Sequence, residues 1–502
     1  MKARHAMGMG GASAHAISSL IALAAMATCA PTWAQGTGCY GVPAVPTPPT
    51  SGYIDVRTYG AVPNDDIDDA KAIQDAINAA KPGQWVRFPA GRYVMGSHVE
   101  VNTPGVTLWS DGATLHATNL QDRAVMLQAD RTRIYGFTLT TDGMERTYVP
   151  KAGRIVAWNQ DVQNPHISGV VIQNNRVIPP VSATGVTAAD ANAGAGIFVM
   201  GVQDFTVAGN EVRRPLADGI HITLGSRNGR VVRNKVYQAG DDMVAVVTYM
   251  AVDWVSKAAA DPKWLASEQD RTLVRNIWIA DNTLSDQYWG RGVTVAGGAD
   301  ITIARNQINR NTYSAGIYIA REDSYHTAKV SNVLVDTNTV SDVLTTEPTY
   351  MPSGPWGAQV RSDRDRLPTG AGGITMVALM TPEEEKSPYA KQAIGVDRVT
   401  YRRNIVSRTG YAGVSLGAYS PAGFITGLTM DSNQVTRVGL RDGGKSPAYA
   451  NPAFQGTLIP LTCKSSVWGT DKSFPGCAEG ASLPPAPVAT GATLDCSRFP
   501  AP

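Results

Sequence analysis

The sequence predicts an all-β fold: a single-stranded parallel β-helix, or solenoid, with a capping helix at its start and a disulfide-pinned tail at its end. Three observations predict it. First, apolar alternation followed by asparagine recurs in VVIQNNRV (Asn175), FTVAGNEV (Asn210), RVVRNKV (Asn234), IWIADNTL (Asn282), ITIARNQI (Asn306), VLVDTNTV (Asn338), VTYRRNIV (Asn404) and LTMDSNQV (Asn433). Second, Asn210 to Asn234 and Asn282 to Asn306 each span 24 residues, and Asn234 to Asn282 spans twice that, so a coil of this length repeats. Third, most of these turns lead into a second alternating strand, such as GIFV (196–199), GIHI (219–222), MVAV (243–246), GVTV (292–295) and GIYI (316–319). An asparagine at one fixed turn can bond the asparagine of the next coil, and it tolerates left-handed backbone geometry.

In chain order, residues 1–34 read as a secretory signal. Lys2 and Arg4 give a basic start, Ile17 to Thr28 an apolar stretch, and Thr32-Trp33-Ala34 a small-residue cleavage site. The apolar part is too short to span a bilayer and no later stretch reads as a membrane span, so the mature chain is expected to be secreted or periplasmic. Removing the signal takes Lys2 and Arg4, and no acid, from totals of 44 basic and 42 acidic residues, which leaves no net charge. That balance argues against nucleic acid as a partner. Cys29 leaves with the signal. Cys39, Cys463, Cys477 and Cys496 remain, an even count that suggests two disulfides in any of three pairings, stapling the chain ends.

Residues 35–52 form a Pro-rich linker to the β-helix domain, 53–439. There DDAKAIQDAINAA sets Ile73, Ala76, Ile77 and Ala80 on one helix face, with Asp68 and Asp69 at its positive end. Such a helix covers the open first coil of a solenoid. Residues 440–502, rich in Pro, Gly and Ser, hold three cysteines and read as an irregular tail. Length alone would suggest two or three domains; the repeats argue for one long domain, expected as a monomer.

Alternation in the second strand sends Ile220 and Ile222, or Val244 and Val246, inward. It sends Phe198, His221, Ala245, Thr294, Tyr318, Thr375 and Ser415 outward. The residue just before each strand forms another column: Ala195, Asp218, Asp242, Arg291, Ala315, Gly372, Ala412. Charge occupies three consecutive coils of it and no others. Neighbouring strands lie about 4.8 Å apart, so Asp218 and Asp242 stack, with Asp241 beside them, Arg291 next along and His221 on the same surface. Stacked carboxylates repel and raise at least one pKa. A turn with only a structural purpose would take Ala or Gly, as other coils do. Perturbed carboxylates beside a cation are what acid–base chemistry requires.

The stretch IDVRTYGAVPNDDIDDAKAIQDAINAA, followed by VRFPAGRYVM, resembles the opening of the pectate-lyase-like β-helix superfamily, which implies a right-handed helix. The charged column resembles that of the polygalacturonase family of glycoside hydrolases. That family carries Asn-Thr-Asp-Gly, Gly-Asp-Asp and Gly-His-Gly on successive coils, and Arg-Ile-Lys beyond. Here Leu216-Ala217-Asp218-Gly219 stands for the first, Gly240-Asp241-Asp242 matches the second, and Gly290-Arg291-Gly292 stands for the third with Arg in place of His. The resemblance covers about Asn210 to Arg321. It implies a polysaccharide substrate, acidic ones included, with Asp241 as general acid on the glycosidic oxygen. Asp218 and Asp242 would activate the hydrolytic water, with inversion. Arg291 cannot relay a proton as the family's His does, but it can grip a carboxylate or steady the acid. Tyr318-Ile319-Ala320 stands where the family places the two cations that hold a uronate, and Arg321 lies one residue further on.

Sugar contacts are expected from His221, Arg291, Tyr318 and Arg321. They are also expected from Trp254 and Trp264 at one cleft edge, in the insertion 250–272, and from Trp289 beside Gly290. Aromatic faces suit sugar rings. Arg361, Arg364 and Arg366 either attract an anionic glycan or balance Asp363 and Asp365. His98, His166 and His326 lack metal-ligand spacing, and the hydrolase reading expects no cofactor or metal. Two other readings stand beside it. In a calcium-dependent polysaccharide lyase or epimerase, Asp218, Asp241 and Asp242 would hold Ca²⁺ while Arg291 or Arg321 took a proton. A non-catalytic glycan-binding β-helix would have no use for adjacent carboxylates.

Overall fold

The computed structural model describes residues 39–499 apart from 144–145, 147–148, 159–166, 180, 183–184, 187–194, 366–370, 418–419, 422, 448, 451–460, 465–466 and 469–488. The expected signal at 1–34, His166, Arg366 and Cys477 lie outside the described residues.

Each coil supplies one strand to each of three parallel sheets, which among the described residues contain 15, 12 and 11 strands. One coil runs through Thr206–Ala208, Glu211–Arg213 and Ile220–Thr223, and the next through Arg227–Val232, Lys235–Tyr237 and Val244–Val247. Two strands per coil are expected from the sequence; the structure has three. The extra one directly follows each asparagine and commonly has one inward residue, such as Val212, Val236 or Leu284. A single inward residue is too few for alternation to reveal. In the 11-stranded sheet Ile197, Ile220, Val244, Val293, Ile317, Ile374 and Val414 pair in unbroken register. They all lie in one continuous core, each burial being worth roughly 1.5–3 kcal/mol.

The asparagines form a ladder. From Asn175 to Asn433, each Nδ2 donates to the Oδ1 of the next at 2.9–3.1 Å. Each backbone N–H from Asn175 to Asn404 donates to the same oxygen. The left-handed conformation falls on the residue before each rung: Asn174, Gly209, Arg233, Asp281, Arg305, Thr337, Arg403 and Ser432 all have φ between 51° and 65°. The rung asparagines do not need it, because their amides are committed to neighbouring coils.

Helix Ala70–Asn78 buries Ile73, Ala76 and Ile77 over the first coil. Asp69 heads this helix, but its carboxylate accepts the Val62 and Val94 N–H groups at 2.8 and 3.0 Å, tying helix to coil. Within 440–502, expected to be irregular, Tyr449–Ala450, Leu461–Lys464 and Val467–Trp468 add one strand to each sheet. The segment 489–499 then runs back along the outside of the 15-stranded sheet. N–H groups of Ala489, Ala492 and Asp495 bond Thr400, Thr302 and Asn228 in turn. Ala492, Leu494 and Phe499 cover Ala208, Val232, Ala280 and Ala304. A Cys39–Cys496 disulfide fastens this strap to the start of the domain. No described helix is long and apolar enough to cross a membrane.

Candidate active site

The 11-stranded sheet builds the site at the turns that enter its strands. Gly219 and Met243 donate their N–H groups to the carbonyls of Asp242 and Arg291, each at 2.9 Å, which puts Asp218, Asp242 and Arg291 in one column. Side chains repeat the pattern. Asp242 N–H donates to Asp218 Oδ1 at 2.9 Å, and Arg291 N–H to Asp242 Oδ1 at 3.0 Å. Gly290 has φ 122°, and an added Cβ would sit 2.5 Å from the Asp241 carbonyl carbon. Only glycine lets the chain pass this close to Asp241 and deliver Arg291. One oxygen each from Asp218, Asp241 and Asp242 lies within 4.8 Å of the others. With His221, Tyr249, Arg291, Glu322 and Tyr325 they line a cleft of about 320 Å³.

Burial, with Asp218 and Asp242 alongside, pushes the Asp241 carboxyl well above the usual carboxylate range, against the pull of Arg146 and Arg291. Burial likewise pushes Asp242 up to about 7, with Arg291 lowering it and Asp218 raising it. Burial works against the charge of Arg291, but Asp242 and Glu322 outweigh it and hold the guanidinium above its ordinary value. The two acids thus sit in environments that favour a bound proton, beside a cation that keeps its own.

His221 Nδ1 lies 2.7 Å from Asp218 Oδ2, and the ring packs between Phe198 and Tyr249 at centroid distances of 4.8 and 6.5 Å. Tyr318 is buried under the Arg291 guanidinium, 4.4 Å from its ring centroid, so it supports that cation from below. Trp289 is not among the residues that line the cleft; its Nε1 donates to Asp363 at 3.1 Å and its ring lies 5.2 Å from the guanidinium of Arg146, the partner of Asp241.

Four further expected sugar contacts are corrected, the first being Tyr318, which lies buried beneath Arg291 and does not line the cleft. Trp254 is fully buried in the core, at the start of helix Trp254–Ala260, and its Nε1 donates to Glu384 Oε1 at 3.0 Å. Trp264, in helix Pro262–Thr272, packs against the same core under Lys257 and does not line the cleft. The insertion folds on itself because each helix must bury its apolar face. Arg321 is fully buried, with both terminal nitrogens on the Glu384 carboxylate and Nε on the Thr327 carbonyl. Of the arginines in 343–372, Arg364 pairs with Glu347 and bonds the Thr312 carbonyl, so it braces the loop.

Two charged residues of the site went unread. Arg146 donates Nη2 to Asp241 Oδ2 at 2.8 Å, its guanidinium 3.9 Å from the Trp356 ring centroid. Glu322 accepts from Arg291 Nη2 at 2.9 Å. Arg146 comes from a loop with no periodic pattern. Glu322 directly follows strand Ile317–Arg321, and its adjacency to the charged column was the available signal.

No curated protein matches the sequence. The family described as "Right handed beta helix region" matches residues 154–341. Among solved structures, the Agl-KA catalytic domain is similar at 16% identity and a TM-score of 0.53, over 86% of this chain and 67% of that one. The catalytic unit of a thermostable GH87 alpha-1,3-glucanase from Streptomyces thermodiastaticus strain HF3-3 is similar at 18% identity and a TM-score of 0.52, over 92% of this chain and 73% of that one. The chain therefore has the right-handed parallel β-helix fold.

Proposed function

We propose that this chain is an exported, polysaccharide-degrading glycoside hydrolase with aspartates as acid and base. The observation that carries the reading is the convergence of Asp218, Asp241 and Asp242 in one cleft. Asp241, whose carboxyl is pushed well above the usual carboxylate range by burial and by Asp218 and Asp242, gives its proton to the glycosidic oxygen as the bond to the anomeric carbon breaks. Arg146 holds Oδ2 of that carboxyl, leaving Oδ1 to carry the proton. Asp242 and Asp218 together take one proton from water as its oxygen attacks the anomeric carbon; solvent then returns a proton to Asp241 and removes the one held by the base pair. His221 and the Asp242 N–H hold the two oxygens of Asp218. A like fold in an alpha-1,3-glucanase accords with this reading.

Resemblance to the polygalacturonase family implies inversion. Proton NMR of the first-formed anomer tests that implication.

The lyase alternative needs a base and a bound cation. Arg321 is locked to Glu384 and Arg291 is held protonated, so neither gives up a proton readily. The Arg146 and Arg291 guanidiniums beside Asp241 and Asp242 also count against a bound Ca²⁺ there. The deciding experiment incubates the mature protein with acidic and neutral polysaccharides. New reducing ends without unsaturated product, insensitive to chelator and absent with Asp241→Asn, are expected. Unsaturated, chelator-sensitive product would overturn the proposal.

A further inference from the structure

Among the described residues, each cation that reaches the cleft is already matched by a carboxylate of the chain itself. Arg291, the one cation lining the cleft among the described residues, gives Nη2 to Glu322 at 2.9 Å and sets Nη1 3.7 Å from Asp242. Arg146 gives Nη2 to Asp241 at 2.8 Å, with its guanidinium over Trp356. Arg321 is buried on Glu384 and does not reach the cleft. Against these stand Asp218, Asp241, Asp242 and Glu322.

Glu322 is the decisive group. It lines the cleft, is only 7% exposed, and sits on the guanidinium of Arg291 that a substrate carboxylate would otherwise take. We infer that the site is built for an uncharged pyranose, and that Glu322 sets this specificity by occupying Arg291. This deepens the hydrolase proposal and rests on the same cleft. A uronate would bring its negative charge beside the carboxylates of Asp218 and Glu322 and find the guanidiniums already paired, an arrangement that rejects it by repulsion and by loss of hydration. A neutral sugar offers hydroxyl donors to Glu322 and Asp218, and a ring face to exposed Tyr249 and Tyr325.

The test measures binding, not turnover. Asp218→Asn protein, which keeps the Arg146–Asp241 and Arg291–Glu322 pairs, is titrated calorimetrically with tetrasaccharides of glucose, galactose and mannose, and with tetra-uronates of galacturonate, mannuronate and glucuronate. A neutral tetrasaccharide is expected to bind at least about tenfold more tightly than any uronate. Glu322→Gln should narrow that ratio by strengthening the uronate. Uronate binding as tight as neutral binding, an unchanged ratio in Glu322→Gln, or no binding in either series would overturn the inference. If Glu322→Gln does not fold, the ratio in the Asp218→Asn protein decides alone. Neutral preference without hydrolysis by the parent would sink the hydrolase reading and leave this one standing.

Discussion

The asparagine turn and the aspartate turn are two columns of the same solenoid, stacked at the same spacing, and they behave in opposite ways. An amide donates and accepts, so each rung from Asn175 to Asn433 completes its neighbour and is buried with its hydrogen bonds made. An ionised carboxylate only accepts, so stacking Asp218 on Asp242 sets like charges together and leaves them short of donors. Backbone N–H groups, His221, Arg146 and Arg291 make up that shortage. A solenoid multiplies the chemistry of whatever residue enters a column: the amides give cohesion from coil to coil between Asn175 and Asn433, and the carboxylates concentrate repulsion at two adjacent coils.

Exchanging the two chemistries is the most severe way to break this contrast. Asn234→Asp would place a carboxylate where Nδ2 now donates to Val207 O and Asn282 Oδ1. A loss of roughly 3–5 kcal/mol in denaturant unfolding is expected, since the charge is buried without a partner. The reverse exchange, Asp241→Asn, should leave the fold intact and lower turnover by about 10²–10⁴ in a reducing-end assay. A variant that retained turnover would remove Asp241 from the chemistry.

The repulsion should also be visible in the pH dependence of stability. Asp242 rises from 3.8 to about 7 on folding, so between those values the folded chain binds more protons than the unfolded one. Its contribution is full below about pH 4 and falls by up to about 1.4 kcal/mol per pH unit, and it is gone above about pH 7. Asp241 acts in the same direction. Melting temperatures should therefore fall across this window, and Asp242→Asn should flatten the fall. An identical slope in that variant would show the column to be free of strain. The smallest effect is expected at Trp264, which packs on the core away from the cleft. Trp264→Ala should leave KM within about twofold while lowering stability by about 1 kcal/mol or more.

Much of the architecture was legible because period-two alternation assigns each side chain to a face. The columns through His221 and Tyr318, and through Asp218 and Asp242, follow from it and match the register. Consistent use of the same rule would have turned Arg321 inward, two residues after inward-facing Ile319 and four after Ile317. Its charge drew it outward in the reading, whereas Glu384 lets it be buried. Trp254 misled for another reason: an insertion carries no coil register, so its facing is decided by packing between its own helices and the core. Arg146 was hidden because its contact to Asp241 spans 95 residues, a distance that periodicity does not bridge.

The ladder is indifferent to how much chain lies between its rungs. Asn234 and Asn282 are 48 residues apart, and Asn338 and Asn404 are 66 apart. Their amide bonds of 3.1 and 3.0 Å match the 3.0 Å of a 24-residue step. The shorter of these intervals holds helices Trp254–Ala260 and Pro262–Thr272, and the longer holds helix Gly354–Arg364, which brings Trp356 to Arg146. Such segments are interchangeable cassettes clipped into a fixed rail. Evolution, or an engineer, can trade one for another and reshape what the cleft admits while the aspartates keep their positions.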